Sequence, residues 1–246
     1  MPDAPLLTLG GVTKRRSAAG STFELRIESL ELLAGERIAL VGESGSGKST
    51  LLDLVALASR PDAAGQFCID DGGSTVDVAD LWRDGASDAL ASLRARYIGY
   101  VPQTGGLFAF LNVFDNIDLP RRLLGLADDG TVGDLAERLG VADQLRKKPS
   151  ALSVGQRQRV AIARALAHGP SLVLADEPTA SVDPATADIV TELLLEQVEA
   201  RGAALLLASH DWDRVERLGL PRLAPEIARE RTGDGVVVRS TFARAA

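Results

Sequence analysis

The sequence predicts an α/β fold in which a largely parallel sheet is covered by helices, and three observations lead to it. Apolar runs without polar alternation recur at residues 38–41, 172–175 and 203–209, the pattern of strands buried on both faces. Helical spacing stands between them, in residues 51–58 and in the series Ile189, Val190, Leu193 and Leu194. Strands alternating with helices make a parallel sheet. Residues 104–167 differ, with helical patterning and no convincing strand. They read as a helical lobe inserted between two parts of the sheet.

Each element follows from local chemistry. The run 38–41 ends in a glycine-rich turn and passes into the helical spacing of 51–58, giving strand, loop and helix. Residues 97–101 form another strand, which Pro102 stops. Ser153 followed by Gln156 is a capping box, so a helix begins there and runs through Val160, Ile162 and Leu166 to Gly169-Pro170. Asp183 is placed as an N-cap, with Pro184 at the first helical position and Gly202 beyond the end. Late in the chain, residues 236–238 read as a strand after a turn at 233–235.

Composition narrows the function. Hydrophobic residues make up 46% of the 246 and charged residues 25%, the balance of a globular protein. A net charge of -7 argues against a dedicated nucleic-acid binder, which carries a basic excess. The single cysteine, Cys68, excludes an internal disulfide; flanked by Phe67 and Ile69 in a strand-like run, it reads as a packing residue. The opening residues lack the basic and apolar segments of a signal peptide. No apolar run reaches the length of a membrane span, so any work at a membrane falls to a partner.

The chemistry begins at Gly42, Glu43, Ser44, Gly45, Ser46, Gly47, Lys48, Ser49 and Thr50, which match the phosphate-loop pattern in its required strand-to-helix setting. Gly45 and Gly47 let the backbone curl so that N–H groups face a phosphate at the helix N-terminus. Lys48 adds a point charge, and the Ser49 hydroxyl is a ligand for Mg²⁺. Asp176 and Glu177 end the apolar run 172–175, where α/β sheets bind ligands. Asp176 is placed to hold Mg²⁺ and Glu177 to polarise the attacking water. The helix end at Ser153, with free N–H groups and the flexible Gly155, is a second anion site.

The segment Leu152-Ser-Val-Gly-Gln156, continuing to Leu166, closely resembles the signature sequence of ATP-binding cassette (ABC) ATPases, and the resemblance spans roughly residues 6–213. It implies a P-loop NTPase core with a largely parallel sheet, an N-terminal antiparallel β region and an inserted α-helical lobe. The division is 1–103 with 168–246 for the core and 104–167 for the lobe, all within one ABC ATPase domain. It implies that Ser153, Gly155 and Gln156 serve the ATP of a second copy, and that Gln103 reaches Mg²⁺ and the attacking water. By the same resemblance His210 is expected to contact the γ-phosphate. Asp183, a helix cap in any case, belongs to a loop crossing the interface.

Two departures stand out. Val154 replaces a glycine of the family pattern, and Arg16 stands where an aromatic ring stacks on adenine. A guanidinium also stacks on a base. Residues 218–246 match the family poorly. The expected activity is Mg-ATP hydrolysis in a homodimer that drives a transmembrane permease, with the subunit peripheral on the cytoplasmic side of the membrane. Residues 106–117, with 119–120, resemble the lipoprotein-release and macrolide-efflux type. The rival is a non-transport cassette ATPase acting on ribosomes, DNA or cluster assembly. Phe108, Phe110 and Phe114 are expected either to pack inside the lobe or to form an apolar groove for a permease helix.

Overall fold

The computed structural model describes residues 4–18, 21–70, 74–232 and 235–244. In chain order the strands and helices begin with β1 (Leu7–Ala18), β2 (Ser21–Leu32), β3 (Arg37–Val41), α1 (Lys48–Val55), β4 (Gln66–Asp70), β5 (Thr75–Asp77), α2 (Val78–Arg83) and α3 (Ser87–Tyr97). Then come β6 (Ile98–Val101), α4 (Val113–Leu123), α5 (Thr131–Arg138), α6 (Val154–Leu166), β7 (Leu172–Asp176) and α7 (Pro184–Ala200). The chain continues with β8 (Ala204–Ser209), α8 (Trp212–Arg217), β9 (Arg222–Leu223), β10 (Glu226–Thr232) and β11 (Gly235–Ala243). It divides into two compact units, Met1–Ser92 with Ala208–Ala246, and Leu93–Leu207.

The first unit holds a six-stranded sheet in the order β10-β11-β2-β1-β4-β5. Neighbours run antiparallel except β11, which lies parallel to β2. The N-terminal antiparallel region expected from the resemblance is therefore present, and the late strand joins it rather than forming a separate tail. The expected strand at 236–238 is the middle of β11; the turn expected at 233–235 lies largely outside the described residues. Leu25, Ile27 and Phe242 are buried on one face of this sheet. On the other, Glu24 of β2 stands in register between Arg15 of β1 and Arg239 of β11.

Glu24 is only 3% exposed, and a buried carboxylate survives only when paired. Its oxygens accept from Arg15 Nε at 3.0 Å and from Arg26, with Arg239 Nε 3.8 Å away. Burial pushes its pKa up, but the guanidiniums of Arg26 and Arg15 outweigh that and hold it below the usual carboxylate value. Cys68 alternates with its neighbours as expected: Phe67 and Ile69 are buried on one face of β4, and Cys68 is half-buried on the other. Strand period two puts neighbours on opposite faces.

Also in this unit, β3 pairs in parallel with the short β9. In the second unit β6 runs parallel to β7, Ile98 opposite Leu172 and Val101 opposite Ala175, and β8 is the neighbour of β7. The strand expected at 97–101 starts one residue later because Tyr97 closes α3. Between β6 and β7 the described elements are helices only, as the patterning predicts. Gly99 explains how closely α6 lies against β6: a Cβ there would stand 2.2 Å from the Ala165 carbonyl oxygen. Residues on most sides of α6 are buried, as suits a helix at the centre of its unit.

Candidate active site

In the first unit, the phosphate loop spans the end of β3 and the start of α1. Gly45 and Gly47 have φ of 80° and 96°, conformations that favour glycine. Gly47 is also held close: a Cβ would come within 2.9 Å of the Phe23 ring and 3.2 Å of Leu25, both on β2. At Gly42 a Cβ would meet the Ser46 hydroxyl at 2.8 Å. Gly47 is the N-cap of α1, and no side chain caps that end. The first-turn N–H groups are thus not claimed by a side-chain cap, the condition for anion binding.

The loop's carbonyls, in contrast, are turned to protein donors. Lys48 Nζ donates to Gly42 O at 2.7 Å and to Glu43 O at 3.0 Å. Ser46 N donates to Glu43 O at 3.2 Å and Leu51 N to Gly47 O at 2.9 Å. The Ser240 hydroxyl, from β11, donates to Ser46 O at 2.6 Å. Lys48, Ser46 and Thr50 are buried, while Glu43, Ser44, Gly45 and Ser49 are exposed. Arg16 extends from β1 to α1, where its Nη2 lies 3.2 Å from Asp53. Nothing in the sequence announced Asp53 as its partner. His210 follows β8 and is exposed, and its neighbour Asp211 caps α8 by accepting from Arg214 N at 2.9 Å.

In the second unit, Asp176 ends β7 and Glu177 follows, both half-buried. Glu177 has φ of 44°, a left-handed conformation costing a non-glycine residue about 1–3 kcal/mol. Such strain concentrates at functional sites. Gln103 is exposed, and its carbonyl accepts from Gln158 Nε2 of α6 at 2.7 Å. Arg164 of the same helix donates to Gly106 O at 2.7 Å and Gly105 O at 3.0 Å. Two α6 side chains therefore strap the segment that follows Gln103.

Ser153 caps α6 with both bonds of a capping box: Gln156 N donates to Ser153 Oγ at 3.2 Å, and Ser153 N donates to Gln156 Oε1 at 2.9 Å. The capping box expected from the sequence is therefore formed, and it satisfies one of the N–H groups at this helix end. The Ser153 hydroxyl, accepting with a lone pair, keeps its own proton to donate. Asp183 caps α7, accepting from the Thr186 hydroxyl at 2.6 Å and from Thr186 N at 3.0 Å. Those two bonds, the hydroxyl's first, hold the Asp183 carboxyl below its usual pKa. A Cβ on Gly155 would stand 2.7 Å from Thr186 Cγ2, so the ends of α6 and α7 meet at Gly155. The residues that sequence reasoning missed, namely Asp53, Gln158, Thr186 and Ser240, all act through contacts remote in the chain or through an ordinary-looking side chain.

A glycine-shaped loop with a buried lysine suits binding of a nucleotide's phosphates, and an acidic pair at a strand end suits activation of water. Residues 25–180 match the family described as ABC transporter. The chain is 42% identical over 203 residues to the lipoprotein-releasing system ATP-binding protein LolD of Maricaulis maris, covering 81% of this chain and 85% of that protein. It is 38% identical over 211 residues to the probable export ATP-binding/permease protein MacB of Pseudomonas entomophila, covering 84% of this chain and 30% of that longer one. Among solved structures it resembles the dimeric, post-hydrolysis ATP-binding cassette MJ0796 bound to ADP and Pi, with a TM-score of 0.70 and 30% identity. That match covers 85% of this chain and 89% of the other. Loop, acidic strand end and capped signature helix thus have one common meaning: the chain belongs to the ABC transporter family, as an ATP-binding and ATP-hydrolysing subunit resembling the lipoprotein-release and macrolide-efflux type.

Proposed function

We propose that two copies of the chain close head to tail around two ATP molecules, each phosphate loop facing the other copy's Ser153, Gly155 and Gln156. In this reading the loop from Gly42 to Thr50 holds the phosphates, Lys48 supplies the charge and Arg16 stacks on the base. Glu177 orients and polarises the attacking water, Gln103 reaches Mg²⁺ and that water, and His210 contacts the γ-phosphate. Asp183 lies at the interface. The observation that carries the reading is that one chain holds both an uncapped, glycine-shaped helix end at Lys48 and a left-handed Glu177 directly after a buried strand.

Mg²⁺ fits the donor set. Ser49, Asp176 and Gln103 offer only oxygen ligands, the chemistry of a hard cation. Among the described residues no three His, Cys, Asp or Glu side chains cluster to hold a metal by themselves. Mg²⁺ is commonly held by one or two protein oxygens together with substrate phosphates. When bound it would neutralise charge on the β- and γ-phosphate oxygens; orienting the water remains the task of Glu177.

The partner in this reading is a transmembrane permease, with the subunit peripheral at the cytoplasmic face and no nucleic acid involved. Among the described residues no helix is long and apolar enough to cross a membrane. Phe110 is 73% exposed and Phe108 41%, with ring centroids 5.7 Å apart. Phe114 is half-buried. Exposed aromatics in a segment strapped to α6 form a surface suited to a foreign apolar helix. The test is Glu177→Gln. Turnover should fall by at least about 100-fold, as when a general base is lost, while ATP binding persists and an ATP-dependent dimer accumulates on size exclusion. Parent-level turnover would remove Glu177 from the chemistry.

A further inference from the structure

We infer that Ser240 is a positioning residue for the phosphate loop, and that the β10–β11 hairpin serves nucleotide binding through it. The inference rests on the reading of residues 42–50 as a phosphate cradle. A cradle needs its N–H groups turned inward, so its carbonyls must find donors on the outside. Lys48 and the loop's own backbone serve the carbonyls of Gly42, Glu43 and Gly47. The Ser46 carbonyl has a donor from far away in the chain, the Ser240 hydroxyl at 2.6 Å and 194 residues distant.

The consequence follows from peptide geometry. In a trans peptide the C=O and the following N–H point in opposite directions. Holding the Ser46 carbonyl on Ser240 therefore aims the Gly47 N–H to the opposite side, into the bend of the loop. The structure around the bond is built to keep it. Ser240 is fully buried and in register with Leu25 of β2. Leu25 and Phe23, on the same strand, are the residues against which Gly47 is closed. The wall behind the loop is thus β2 and β11 together, and the Arg15–Glu24–Arg239 row on the opposite face keeps those strands aligned. Residues 235–243 lie beyond the stretch matched to the family, so this support is not part of the signature that identified the chain.

Ser240→Thr and Ser240→Val add nearly the same volume and differ in the hydroxyl. The Thr variant should bind ATP within about twofold of the parent, and the Val variant about five- to tenfold more weakly, the loss expected for one buried hydrogen bond. The Val variant should melt about 2–4 °C or more below the Thr variant because the buried Ser46 carbonyl loses its donor, and titration calorimetry at a temperature where both are folded reads the affinities. Equal ATP affinity in the Thr and Val variants overturns the proposal. If both larger side chains disrupt folding, Ser240→Ala against the parent makes the same comparison without added volume, and parent-level affinity overturns it. Lys48→Ala is measured alongside. Unchanged binding there defeats the phosphate-loop reading itself, and the role of Ser240 falls with it.

Discussion

The helix that starts at Lys48 and the helix that starts at Ser153 both have first-turn N–H groups to satisfy, and they do so in opposite ways. At α1 the N-cap is a left-handed glycine and no side chain supplies a cap. At α6 the Ser153 and Gln156 side chains close a complete capping box. A helix end that lacks its own cap is finished by its ligand, whereas one that is self-capped stands alone and has less left to offer. The contrast teaches why one end would bind a nucleotide within a single chain, while the other would contribute only when a second copy brings a phosphate to it.

The strongest way to break this comparison is Lys48→Ala. Removing the charge at the uncapped end should weaken ATP binding by about 100-fold, the scale of a charge-assisted contact. It should also abolish the rise in melting temperature that ATP gives the parent. Calorimetry and a thermal melt measure both; preserved affinity would mean that α1 is not completed by phosphate.

Ser153→Ala tests the other end. The helix loses its cap, at about 1 kcal/mol, and the melting temperature should fall by about 2–4 °C. ATP affinity of the isolated subunit should stay within about twofold, while turnover at high protein concentration should drop by about tenfold, the scale of one hydrogen bond to a charged group. If Ser153→Ala weakened ATP binding as Lys48→Ala does, the two ends would be equivalent and the distinction would be lost.

Arg16→Tyr sharpens the comparison at its weakest contact, the base. The exposed Arg16–Asp53 pair contributes little to stability, so melting should move by no more than about 1 °C. The preference for ATP over GTP should rise by about threefold as an aromatic face replaces the guanidinium. Competition binding of the two nucleotides gives the answer, and an unchanged ratio places Arg16 away from the base.

What could be read in the sequence was local. The phosphate loop, the Ser153–Gln156 box and the Asp183–Pro184 start of α7 are each written in a few consecutive residues, and the structure forms them where the sequence puts them. The all-helical span between β6 and β7 was legible for the same reason. Features that depend on remote pairing were not. Ser240 is an unremarkable serine between an arginine and a threonine until β11 is laid beside β2. Glu24 reads as a solvated strand residue until three arginines cover it. The alternation around Cys68 was legible, but not which of the two faces of β4 is the core. The left-handed backbone at Glu177 has no sequence signal, since glutamate, unlike glycine, asparagine or aspartate, is not a residue that favours that conformation.

The placement of β11 also has a bearing on biosynthesis. Its serine is made 194 residues after the loop it supports, which at cellular rates of about 5–20 residues per second is an interval of roughly 10–40 s. Throughout that time the edge of β2 that β11 will occupy is unpaired, and a twelve-residue strand with an open edge invites pairing with other chains. The nascent subunit should therefore carry its phosphate loop early and acquire full nucleotide affinity late. Released chains truncated after Leu223 should bind ATP more weakly, and aggregate more readily, than released chains carried through Arg244. Competence for the nucleotide would then be a property timed by the end of translation of the sheet rather than by the appearance of the motif.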